Sequence, residues 1–80
     1  MATVRLLPRA QWEMGLRAYD CSPLEGKGPL NTAEWWRAPW GFLFTVPVEG
    51  PESHCEEQAF NRLLIHIQQS RPPDWPGLGG

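Results

Sequence analysis

Along residues 57–69, apolar side chains return every three or four positions, at Ala59, Phe60, Leu63, Leu64 and Ile67, with Glu57, Asn61, Arg62 and Gln68 largely on the other side. That period matches the 3.6-residue turn of an α-helix and leaves one apolar stripe. Upstream, Ser53 and Glu56 stand at the Ser-x-x-Glu spacing of a capping box, which predicts a helix beginning at Ser53. Pro72 and Pro73 lack amide hydrogens and disfavour helical geometry before them, so the helix is expected to stop near Ser70. Its stripe, Phe60, Leu63, Leu64 and Ile67, is expected to pack on a sheet.

Ahead of the helix the pattern changes. Residues 42–46, FLFTV, are short and rich in aromatic and β-branched types, which predicts a strand. Pro39, Trp40 and Gly41 suit a turn, so residues 34–37 and 42–46 read as an antiparallel hairpin. A competing pattern exists, because Asn31 and Glu34 also have capping-box spacing and would make residues 32–37 a single helical turn. In the N-terminal third, Pro8 suits the first position of a short helix reaching Met14, with Gly15 ending it. Residues 16–21 alternate as a strand would, and the stretch SPLEGKGPLN reads as a loop. The resulting fold class is α+β: a three-stranded antiparallel sheet with helices on one face, in the order α-β-β-β-α. Residues 1–70 form one compact domain, and residues 71–80 form a Pro/Gly-rich tail from which Trp75 can fold back onto the body.

Eighty residues support one core and leave little room for a deep enzyme cleft. Five tryptophans are several times the usual share for this length, so they are expected to supply much of that core. A formal net charge of -2 argues against a protein held to nucleic acid through phosphate contacts, which need clustered Lys and Arg. The charge is uneven: Arg5, Arg9 and Arg17 lie near the N-terminus, whereas Glu49, Glu52, Glu56 and Glu57 fall in a stretch free of Lys and Arg. That acidic run reads either as a solvated loop and helix start or as a docking patch. The opening MATVRLLPRAQW does not read as a secretory signal and no stretch approaches a membrane span, so the expected location is the cytoplasm, with no membrane partner. Cys21 and Cys55 are then expected to be free thiols, with a disulfide between them as the alternative.

Candidate chemistry changes this picture little. Cys21, His54, Cys55 and His66 are metal-ligand types, but His54 and Cys55 diverge on a helix and His66 lies roughly 16 Å of helical rise away, so no metal site is expected. Cys55 in a first helical turn would favour a thiolate, yet Glu56 and Glu57 oppose it and no positioned histidine accompanies it. Glu-Gly-Lys-Gly at residues 25–28 runs into Pro29 and lacks the architecture of a phosphate loop. The reading is therefore of a protein that is not an enzyme, with no catalytic residues and no cofactor. The tryptophans carry the functional signal. In a strand, Trp35 and Trp36 point to opposite faces, so a sheet covered on one side exposes one of them, and Trp40 sits at the turn. Exposed tryptophans are the anchors from which interfaces draw much of their binding energy.

Residues 31–50, NTAEWWRAPWGFLFTVPVEG, resemble the central hairpin of HicA-family toxins, small ribonucleases with a double-stranded-RNA-binding-like fold. Arg37, Pro39 and Gly41 match the family's proline-containing turn, and Thr45, Val46 and Pro47 match its strand end. The resemblance implies the same topology. Asn31, Thr32 and Ala33 occupy the place of the family's Gly-Ser-His tripeptide, so Ala33 stands where the catalytic histidine would be, and residues 48–53 are acidic where RNA favours basic groups. The implied scaffold thus lacks the nuclease chemistry. The leading expectation is a protein-binding module that uses Trp35, Trp36 and Trp40 together with Glu49, Glu52, Glu56 and Glu57. Its partner would be a protein, for instance one with a basic nucleic-acid-binding surface, and in size and character the chain resembles small phage or prophage inhibitors of host factors, anti-CRISPR proteins included. Two alternatives stand beside it: an RNA-binding or RNA-cleaving protein that gathers Arg5, Arg9, Arg17, Lys27 and Arg37 on one face, and a small-ligand or carbohydrate module.

Overall fold

The computed structural model describes residues 4–27 and 33–75. Its elements are β1 (Leu6–Leu7), α1 (Arg9–Arg17), β2 (Ser22–Lys27), β3 (Ala33–Arg37), β4 (Leu43–Pro47), β5 (Cys55–Glu56) and α2 (Glu57–Ser70). β2, β3 and β4 form an antiparallel sheet in that order, and β1 pairs with β5 as a second, two-stranded sheet. The α+β class and the α-β-β-β-α order thus hold, with the small second sheet added.

The hairpin forms because the tripeptide after Ala38 closes it. Gly41 takes a φ of 96°, its N–H donates to the Ala38 carbonyl at 2.9 Å, and the Ala38 N–H donates to the Phe42 carbonyl at 2.9 Å. Glycine adopts that left-handed geometry without steric cost. The register pairs Arg37 with Leu43, Trp36 with Phe44, Trp35 with Thr45, Glu34 with Val46 and Ala33 with Pro47. Trp36, Phe44 and Val46 then face the helices and are buried, whereas Trp35, Leu43, Thr45 and Pro47 face away.

Under the inner face, α1 contributes Trp12 and Leu16 and α2 contributes Phe60 and Ile67, with Leu63 and Leu64 partly buried beside them. The expected α2 stripe is therefore the packed one. Trp12 meets Trp36 edge to face with 5.8 Å between ring centroids. Arg9 and Glu34 tie α1 to β3 through a two-pronged contact, in which Arg9 Nη2 donates to Glu34 Oε1 at 2.8 Å and Nη1 donates to Oε2.

Three expectations are corrected. First, α2 begins at Glu57 and not at Ser53. Ser53 has a φ of 55°, and residues 49 and 54 bridge as a small loop in which each N–H donates to the other's carbonyl at 2.9 Å. Cys55 and Glu56 then pair with Leu7 and Leu6, and the Glu57 N–H donates to the Arg5 carbonyl at 2.8 Å. A remote backbone carbonyl thus satisfies a helix-start donor in place of the local serine. Second, α1 runs through Gly15 to Arg17, and the chain turns only at residues 18–20, where Asp20 has a φ of 60°. Third, the strand expected at residues 16–21 lies instead at Ser22–Lys27, within the expected loop. Pro23 masked it, yet a proline is tolerated on an edge strand, and the pairing register slips between Pro23 and Lys27.

Candidate functional site

Alternation along β3 and β4 builds a face of the sheet that the helices do not cover. Trp35 is 39% exposed at its centre, beside Leu43 at 53%, with Thr45 and Pro47 exposed in the same row. A solvated face of an antiparallel sheet ordinarily carries polar side chains, so an apolar row there is a departure. Arg37, opposite Leu43, lies at one end of the face and forms no ion pair among the described residues. Past Pro47 the row continues to Glu49, exposed on the loop that follows.

The opposite parity places Trp36 in the core with no exposed surface. Of the two adjacent tryptophans, only Trp35 is presented outward, so Trp36 is unavailable to a partner in this conformation. Trp40, at the hairpin tip, is half-buried. Its indole N–H donates to the Ser70 hydroxyl at 3.0 Å, and Trp75 packs on its ring at 5.9 Å between centroids. Trp75 folds back as the sequence allows, onto the hairpin tip. Beside Trp40, a cleft of about 390 Å³ is lined by Ala18, Tyr19, Gln68 and Arg71.

The acidic run does not act as one patch. Glu57 pairs with Arg5 at 3.5 Å and Glu52 approaches His54 at 3.5 Å. Glu49 and Glu56 have no ion pair among the described residues, and they line a hollow of about 120 Å³ with Pro47, Val48, His54 and Ala59.

The arginines do not converge. Arg9 is held by Glu13 and Glu34, Arg17 by Glu13 at 3.3 Å, and Arg5 by Glu57, while Arg37 lies on the outward face. Hydrogen bonding to Glu34 keeps the Arg9 guanidinium protonated to a still higher pH than usual. The side chain of Lys27 lies outside the described residues. Ala33, at the position of the catalytic histidine in the HicA resemblance, pairs with Pro47 at the far end of β3.

Cys55 lies in β5 and not in a first helical turn, and both cysteines are buried free thiols. Burial pushes each thiol up to about 11, aided at Cys21 by Asp20 and at Cys55 by Glu56 and Glu49. These are the surroundings of an inert thiol. Among the described residues no cluster of three or more His, Cys, Asp or Glu side chains is arranged to hold a metal ion, and no helix is long and apolar enough to cross a membrane. No family model, curated protein or solved structure matches the chain. The site is therefore characterised by its own chemistry: an indole anchor in an apolar row, with Arg37 at one end and Glu49 at the other, neither in an ion pair among the described residues.

Proposed function

We propose that the chain is a non-enzymatic protein-binding module whose docking surface is the outward sheet face centred on Trp35. The observation that carries this reading is the placement of an indole at 39% exposure, flanked by Leu43, on the sheet face the helices leave open. Aromatic anchors of this kind dominate binding energy, while the surrounding contacts exclude water. The partner presents an apolar patch bordered by basic groups, because Glu49 stands exposed at one end of the row. A basic nucleic-acid-binding surface has that character, and the size and build of the chain fit a phage or prophage inhibitor that covers such a surface on a cytoplasmic host factor, anti-CRISPR proteins being one such class.

RNA binding on a HicA-like scaffold is the competing function. Internal pairing of Arg5, Arg9 and Arg17 leaves few cations for phosphates, which favours the protein partner. The test is affinity capture from the cells that carry the protein, with mass spectrometry and then direct titration of the captured partner. Trp35→Ala is expected to weaken binding by at least about 2 kcal/mol with an unchanged circular dichroism spectrum. Equal binding by the variant, or sub-micromolar and salt-sensitive binding of RNA by the wild type, would overturn the proposal.

A further inference from the structure

The outward face is self-complementary. Along its length the order is Arg37 with Leu43, then Trp35 with Thr45, then Ala33 with Pro47, and finally Glu49 beside the small hollow that Glu56 also lines. One end therefore carries a cation, Arg37, and the other a carboxylate, Glu49, neither in an ion pair among the described residues and roughly 20 Å apart along β4 at the rise of a strand. We infer that the free protein pairs with a second copy of itself through this face, so that Arg37 of each copy meets Glu49 of the other. The inference rests on the reading of the same face as a docking surface and names what occupies it before the partner arrives.

Symmetry and charge together select the arrangement. Two identical faces packed by a two-fold rotation have their axis in the plane between them. An axis parallel to the strands would set Arg37 over Arg37 and Glu49 over Glu49. An axis perpendicular to the strands reverses one row against the other and sets each cation over a carboxylate, with the two Trp35 rings close to the axis. Strands of the two sheets then run nearly aligned, as packed sheets prefer. The alternative route, adding strand to strand at a sheet edge, is hindered because both edge strands contain a proline, Pro23 in β2 and Pro47 in β4.

Three short strands offer less area than the roughly 800 Å² per partner of a stable interface. The pair is accordingly transient, and binding of the heterologous partner competes with it for Trp35. This gives the docking face a concentration-dependent cover.

Sedimentation equilibrium of the full chain across a dilution series reads the pairing directly. A reversible monomer–dimer equilibrium is expected, weakened when sodium chloride rises from about 50 to 500 mM, because the end pairs are exposed enough to be screened. Arg37→Glu and Glu49→Arg are each expected to weaken it about tenfold or more, and the double variant, which exchanges the charges, to recover most of that loss. Trp35→Ala should abolish it. Circular dichroism and thermal melting confirm that each variant is folded, and the salt series on the wild type needs no variant. A wild type that stays monomeric to about 1 mM, a dimer indifferent to salt, or a double variant as weak as the singles would overturn the inference. Those outcomes leave the heterologous docking surface standing, since its own readout is partner binding by Trp35→Ala; loss of that effect overturns the docking reading whatever the dimer does.

Discussion

Trp12 and Trp36 share the core, but only one of them satisfies its indole N–H. Trp12 Nε1 donates to the Ser53 carbonyl at 2.9 Å, whereas buried Trp36 Nε1 has no acceptor among the described residues. A buried donor without a partner costs about 1 to 3 kcal/mol. Replacing either tryptophan by phenylalanine removes similar apolar contact, but Trp12→Phe also orphans a carbonyl, while Trp36→Phe removes the orphaned donor. Trp12→Phe is expected to destabilise more than Trp36→Phe by about 1 to 2 kcal/mol in urea unfolding, and equal losses would contradict the pairing described. The two thiols give a second result at this scale. Their pKa is near 9 in the unfolded chain and about 11 when folded, so between those values the unfolded state has released protons that the folded state retains. The contribution is complete below pH 9 and is lost as the pH rises through 11, by an amount on the order of 1 to 2 kcal/mol per thiol. Stability measured from pH 8 to 11 should fall, and should fall less in Cys21→Ala or Cys55→Ala.

At the scale of elements, Gly15 shows why a local signal was misread. A glycine near a helix end is commonly a stop, yet here the helix runs through it to Arg17, and the residue is small for another reason: a Cβ at residue 15 would lie 3.0 Å from Phe60 Cζ. The glycine lets α1 approach the buried ring of Phe60 on α2. On propensity alone Gly15→Ala would stabilise a helix by about 1 kcal/mol. Phe60 is packed on the sheet and cannot yield cheaply, so Gly15→Ala is expected to lower the melting temperature, and Gly15→Ala combined with Phe60→Leu to be less destabilised than the sum of the single variants. Where an element depends on its own residues, the sequence was legible: the hairpin around Pro39 to Gly41, the α2 stripe and the stop at Ser70. Where it depends on a remote partner it was not. β2 contains Pro23 and Gly26 and is a strand because β3 pairs with it, and the start of α2 is displaced from Ser53 because β1 captures Cys55 and Glu56. The same distinction governs the site, since alternation along β3 fixes that one of Trp35 and Trp36 must face outward, but which one depends on where the helices lie.

For the whole molecule, the open question in the sequence was whether the tail belongs to the body. Trp75 and Arg71 lie beyond the expected boundary at residue 70, yet Trp75 packs on Trp40, its N–H donates to the Pro72 carbonyl at 3.1 Å, and Arg71 Nη2 donates to the Trp75 carbonyl at 3.4 Å. None of these contacts reaches the buried cluster, whose members all lie between Leu7 and Ile67. Residues 71–75 therefore cover the hairpin tip and touch the core only by way of Trp40, which packs against the cluster. An edge-to-face aromatic pair contributes about 0.5 to 1.5 kcal/mol beyond its area. Trp75→Ala is accordingly expected to cost on that order and to leave the core signals in place. In a ¹H–¹⁵N spectrum the Trp40 indole resonance should shift and exchange faster with solvent, because its outer cover is gone although Ser70 still accepts its hydrogen bond. The Trp12 and Trp36 indoles should remain where they are, shielded by the same packing. A loss above about 3 kcal/mol, or movement of the core indoles, would instead make residues 71–75 part of the cooperative unit and place the true domain boundary beyond Trp75, since losses of that size come from core truncation and not from a surface pair.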